Sequence, residues 1–255
     1  GLNLIARVLA YVTFYNNYYL SAAVNESFLD TAQRRSSVVS HARMLGYQAH
    51  GRTSATYFAN VSILLNTDTA STVTLPRNTK FELTSNTSFT FYNVDAVSLT
   101  QNTANTFIYE TAGVELVEGV PATYRFVVDT NNPTQRFIIP SANVDFNHFT
   151  VRVQDSATSS ANVNFTRASE LITPTADDAI YFVQESYNGF PEFKFGNDVV
   201  GKALISGNVV IVDYYVSRGS QGNNVRGPFR VVGTPITNMV RGVTATPDAN
   251  TTPSN

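Results

Sequence analysis

The chain has 255 residues, enough for one or two domains with sizeable cores, and is 43% hydrophobic but only 14% charged. A formal charge of -2 leaves no electrostatic footprint for DNA or RNA, and the lack of cysteine excludes disulfides, thiol nucleophiles and thiolate metal ligands. No apolar run reaches the roughly 18 residues that a bilayer span needs, so neither nucleic acid nor membrane is an expected partner.

From the first residues the pattern is helical. Leu2, Ile5, Val8, Leu9, Val12, Tyr15 and Tyr19 recur at helical spacing and fall within an arc of roughly 140°. Leu4, Tyr11 and Tyr18 add a second apolar line, leaving Asn3, Arg7 and Asn17 on a narrow polar strip. A helix so widely apolar must be covered on more than one side. Helices of other chains are the expected cover for those seven residues, with the chain's own β-domain as the alternative.

Ser27 and Asp30 have capping-box spacing, which predicts a second helix from Ser27 to about Leu45 with Gly46 as its C′ stop. Asp30 and Arg34 stand four apart on it as a supporting ion pair. Arg35 projects into the stripe of Phe28, Ala32, Val39 and Ala42. Two readings stay open: it is buried there with a carboxylate such as Glu26, or it snorkels past the apolar edge into water.

Beyond Arg52 the period switches to two. Ala55, Tyr57, Ala59, Val61, Ile63 and Leu65 alternate with polar residues as a half-buried strand, broken on the polar face by Phe58 and Leu64. Further strands are predicted at 72–75, 80–84, 89–93, 107–110, 114–118, 123–128, 136–139 and 180–184, separated by turn signals. Across 143–154 the alternation slips between Phe146 and Phe149, which predicts a bulge or bend. Phe190, Phe193 and Phe195 punctuate another strand; Gly196, Asn197 and Asp198 turn it, and the β-prone run 209–216 reads as the other arm of a hairpin. Gly201, Gly207, Gly219 and Gly222 are available for positive-φ bends or close backbone approach.

Short strands without crossover helices predict a mainly β fold with an N-terminal α-helical arm, its β-part an antiparallel sandwich or open barrel. The predicted division is a helical arm at 1–47, a β-domain at 48–175, a hairpin region at 176–247 and a polar tail at 248–255. A start directly in helical pattern and a tail that closes no element read as an excerpt of a longer protein.

Two motifs carry a family resemblance. The first is Asn25 to Ala32 (Asn-Glu-Ser-Phe-Leu-Asp-Thr-Ala) with Arg35 to Val39, Leu45 to Tyr47 and the turn Leu75 to Phe81. The second runs from Tyr181 to Phe195, continues through Gly196 to Gly201, Gly207 and Asn208, and ends at Tyr214 to Gly219 with Gly222 and Asn223. Both resemble the baseplate wedge subunit of T-even-like contractile-tailed phages, and the second resembles baseplate J-like proteins more widely. Where such proteins often show Phe-Gly-Asp-Gly, this chain has Phe195, Gly196, Asn197 and Asp198, whose types still suit a turn. The resemblance implies a virion protein, assembled in the host cytoplasm. It would join other wedge proteins and further copies of itself in the ring around the tail hub and take part in the contraction switch.

No constellation of catalytic residues answers this. His41, His50 and His148 lack a spaced second ligand, so no metal or other cofactor is expected. There is no Gly-x-Ser-x-Gly elbow and no phosphate-cradling glycine loop, and the acids Asp177 and Asp178, and Glu115 and Glu118, differ in parity along their strands. The expectation is a non-enzymatic structural protein without a small-molecule substrate. A carbohydrate- or receptor-binding β-protein of a tail fibre or surface adhesin is the alternative, suited by low charge and many aromatic residues. A polysaccharide-cleaving enzyme would need a cleft with two nearby carboxylates.

Overall fold

The computed structural model describes residues 1–47, 51–67, 70–168, 174–186, 188–223, 225, 227–240 and the backbone of 244–247. His50 and the tail 248–255 lie outside them.

Helix α1 (Leu2–Glu26) is longer than the pattern of its apolar residues implies. No breaker separates Ser21 from Glu26, so the helix propagates to its end, and Ser27 closes it as C-cap with its N–H on the Val24 carbonyl. The Ser27 hydroxyl donates back to the Ala23 carbonyl at 2.9 Å. The second helix therefore does not start at Ser27, as its capping-box spacing predicts. It starts eight residues later, as α2 (Arg35–Met44), with Arg34 as N-cap. Gly46 does occupy the C′ position, at φ 83°: its N–H reaches the Arg43 carbonyl and that of Tyr47 the Ala42 carbonyl, a Schellman closure.

The β-part begins with β1 (Thr56–Leu64), whose alternating residues Tyr57, Ala59, Val61 and Ile63 are all buried. There follow β2 (Thr72–Leu75), β3 (Lys80–Leu83), β4 (Thr90–Asn93), β5 (Val97–Gln101) and β6 (Ile108–Glu118). The two strands expected at 107–110 and 114–118 are one. A bulge at Ala112–Gly113 opposite Asn60 keeps β6 paired with β1 along its length, and Gly113 supplies the φ of 71°.

Next come β7 (Val120–Val127), β8 (Phe137–Ile138), β9 (Thr150–Gln154), β10 (Asn162–Arg167), β11 (Ile180–Glu185), β12 (Pro191–Phe195) and β13 (Val209–Val216). All seven form a second sheet in the order β7-β13-β9-β10-β11-β12-β8, antiparallel except for β10 with β11. It curls until its edge strands face each other, with the Phe126 and Phe137 rings 5.6 Å apart and Gln135 Nε2 on the Val127 carbonyl. Only then does the chain return to the first sheet with β14 (Phe229–Val231) and β15 (Thr244–Pro247).

Through those late strands the first sheet closes on itself: β1, β15, β14, β3, β4 and β6 pair in a ring, while β5 and β2 extend from the free stretch of β6. The ring is filled by Tyr57, Phe91 and Phe229, whose edge-to-face centroids lie 5.0 to 5.7 Å apart, surrounded by aliphatic residues such as Val61, Ile63, Leu83, Val114 and Leu116. The architecture is thus a helical arm on a mainly antiparallel β-body, barrel-like as expected.

Pairing departs from the sequence reading at three places. The run 209–216 is not the hairpin partner of 191–195. It is buried almost throughout and lies between β7 and β9, whereas β12 pairs with β11 and β8. Within 143–154 only β9 is a strand; Val144 makes a single bridge to Val216, and Asp145 turns the chain by accepting the Asn147 N–H. Finally, the sheets do not divide at residue 175, because the second takes strands from both sides of that position.

Candidate functional site: an uncovered helix and its anchorage

Helix α1 has no buried residue. Leu2, Ile5, Val8, Leu9, Val12, Tyr15 and Tyr19 are all solvent-exposed, and even Tyr15, the best covered of them, is 39% exposed. Phe14, Leu20 and Val24, outside both apolar lines read from the sequence, are equally bare. The aromatic rings cover only one another: Tyr11 and Tyr15 lie 4.5 Å apart, Phe14 and Tyr15 5.8 Å, and Tyr15 and Tyr19 6.2 Å. Each large side chain gains roughly 1.5–3 kcal/mol when fully buried, so the helix carries a substantial unused driving force for association. Among the described residues no helix is long and apolar enough to cross a membrane.

At the end of α1, Glu26 turns the chain. Its carboxylate accepts the N–H groups of Gln33 and Arg34 at 3.1 to 3.3 Å and so caps the start of α2 from outside. Hydrogen bonds from the Ser37 hydroxyl and then the Gln33 N–H hold its pKa below the usual carboxylate value. His41 Nε2 also meets the Glu26 carbonyl, at 2.9 Å. Asp30 and Arg34 fall in the turn between the helices rather than four apart on one, and no ion pair joins them among the described residues.

Arg35 pairs with Glu185, not Glu26. Its guanidinium makes two charge-assisted bonds of 2.6 and 2.7 Å to that carboxylate, and Arg43 donates to the Glu185 carbonyl at 2.6 Å. The Arg35 side chain is 65% exposed while that of Glu185 is 3% exposed, so the acid is the buried partner and the arginine covers it from outside. This contact, 150 residues apart in sequence, fastens α2 to the end of β11.

The turn residues of the second motif build the connection from β12 to β13. Asn197 Oδ1 accepts the Val199 and Val200 N–H groups, and Asp198, at φ 61°, accepts the Ala203 N–H. Gly196 packs so tightly that a Cβ there would lie 2.0 Å from the Gly201 carbonyl oxygen. Gly201, Gly207 and Gly219 have φ of 77°, 92° and 64°, and Gly222 passes against Ala55 and Glu118.

One polar cluster escapes the sequence reading. His148 Nδ1 meets Asp145 Oδ2 at 2.5 Å, and Nε2 meets Glu115 Oε1 at 3.2 Å, linking the second sheet to β6 of the barrel. Burial works to lower the imidazole pKa, but the hydrogen bonds to Asp145 and Glu115 outweigh it and raise the pKa to about 9. The two nitrogens serve two separate acids, which makes this a charged strut between the bodies rather than a chelating site.

With this geometry in view, two comparisons are informative. Residues 1–47, the arm from α1 through the Schellman turn, match the family described as the helical domain of gp6-like baseplate wedge proteins. Over 248 residues the chain is 26% identical to the baseplate wedge protein gp6 of Enterobacteria phage T4, covering 89% of this chain and 35% of that protein. The chain thus spans about a third of the length of the curated relative it matches. The likeness is to a structural protein of a phage baseplate. It supports a structural baseplate role and agrees with the β-rich fold.

Proposed function

We propose that the chain is a non-enzymatic building block of a phage tail baseplate wedge, held to neighbouring wedge proteins and further copies of itself by α1. The observation that carries this reading is a 25-residue helix with no buried residue and apolar side chains on nearly every side. Isolated helices draw little stability from their own hydrogen bonds, and such a surface is stable in water only when other helices cover it. Leu2, Ile5, Val8, Leu9, Val12, Tyr15 and Tyr19 are the residues assigned to that packing. The β-body would then contribute to the ring around the tail hub and follow its rearrangement on contraction, within a virion assembled in the host cytoplasm. The likeness of 181–223 to baseplate J-like proteins belongs to the same proposal.

Against the carbohydrate-binding alternative, the exposed aromatic residues Tyr11, Phe14, Tyr15, Tyr18 and Tyr19 are strung along α1. The test is the double variant Ile5→Asp, Val12→Asp in a pull-down with the other wedge proteins. Heterocomplex formation should be lost while circular dichroism of the β-body is unchanged. Normal complex formation by the folded variant would remove the assignment.

A further inference from the structure

Where α2 meets the two β-bodies lies a cleft of about 560 Å³, remote from the apolar length of α1. Arg35, Arg52 and Arg218 line it, and among the described residues the only carboxylate in its wall is Glu185, already held by Arg35. This chain carries a net charge of -2 with few charges overall, so three guanidiniums around one hollow run against its general sign. Arg52 reaches only the Ser217 carbonyl, at 3.5 Å, and Arg218 lies 5.4 Å over the Phe89 ring. Neither guanidinium meets a carboxylate among the described residues, although the Arg218 main-chain N–H donates to Glu118 Oε2 at 3.0 Å.

The wall also says what does not fit. Among the described residues that line it none is aromatic, and the single apolar side chain is that of Ala142, unlike the apolar pockets that hold drug-sized molecules. The N–H groups of Gly189 and Gly219 are already engaged, by the Ser186 carbonyl and the Ser217 hydroxyl, so recognition falls to the side chains of Arg52 and Arg218. Guanidinium groups pair bidentately with carboxylates.

We propose that this cleft receives an acidic peptide segment of a neighbouring protein, its carboxylates on Arg52 and Arg218. Arg35 of the arm borders the same cleft, so such a segment lies where the arm meets the β-body. The proposal goes beyond the role of α1 and does not rest on it, since the Ile5→Asp, Val12→Asp variant keeps the cleft intact.

Fluorescence polarisation with labelled hexaglutamate tests this on the whole chain at low ionic strength. Binding should weaken with added salt, fall about tenfold or more in the double variant Arg52→Gln, Arg218→Gln, and persist in the α1 variant. Labelled hexaglutamine should not bind. Thermal melting checks that the glutamine variant is folded; if it is not, Arg218→Lys combined with Arg52→Lys should give an intermediate loss. Hexaglutamate binding that survives the folded glutamine variant, or no binding to the parent chain, overturns the proposal. Equal displacement by inorganic phosphate at the same concentration of charge also overturns it, in favour of a simple anion site.

Discussion

His148 shows how much one side chain can decide at the junction of the two β-bodies. A raised pKa means that the folded state holds its proton more tightly than the unfolded chain. The contribution is therefore complete below about pH 6.5 and is lost as pH rises through about 9. Between those values stability should fall by at most on the order of 3 kcal/mol, read by urea denaturation across that pH range. His148→Gln should be less stable at neutral pH and should flatten the profile; an unchanged slope in that variant would show that another group titrates. Neither the partners nor the shift could be read from the chain, because Glu115 is 33 residues away on another sheet. The nearer half of the signal, Asp145 three residues before His148, stood in the sequence at the place where the alternation slips.

Among elements, those with a burial rhythm were legible and those with little burial were not. Strand β1 alternates cleanly because one of its faces lines the barrel. Strand β5 buries only Leu99 and β10 only Phe165; each alternates with period two, but over only two apolar positions (Val97 and Leu99, Val163 and Phe165), too short a signal among Ser, Thr and Asn to mark a strand. The opposite failure occurred at β13: its apolar run, interrupted only by Asp213, is the mark of a strand covered on both faces, and that mark was outweighed by the proximity of β12. The connection between these strands makes a sharp prediction. In Gly196→Ala the new methyl would meet the Gly201 backbone, which cannot yield as a side chain can, and should cost on the order of 2 kcal/mol or more. Gly113→Ala has the positive φ that Gly196 lacks but open space around the Cβ, and should cost about 1 kcal/mol. A smaller loss at Gly196 than at Gly113 in chemical denaturation would show that the close approach is relieved by a shift of the chain.

For the whole molecule, the arm and the body are stabilised by different means. The body has two apolar cores of its own, whereas α1 adds no buried surface to either. A chain beginning at Asn25 retains the Glu26 cap and the Arg35–Glu185 contact. It should melt within about 2 °C of the full chain and sediment as a monomer where the full chain self-associates. A large drop in melting temperature would mean that α1 supports the body directly. The arm was legible because its apolar residues recur at helical spacing from Leu2 to Tyr19 without a breaker. Its junction with the body was not, since Glu185 gives no local hint of an arginine 150 positions earlier.

The seven strands from Val120 to Val216 are inserted between two strands of the barrel, and their entry and exit touch: a Cβ on Gly119 would lie 2.8 Å from the Val216 carbonyl oxygen. During synthesis the insert is complete and able to fold while the ring around it still gapes, because β14 and β15 follow it out of the ribosome. A nascent chain stopped before residue 229 would hence carry a finished guest on an unfinished host, its unpaired edges on β1 and β3 open to any passing strand.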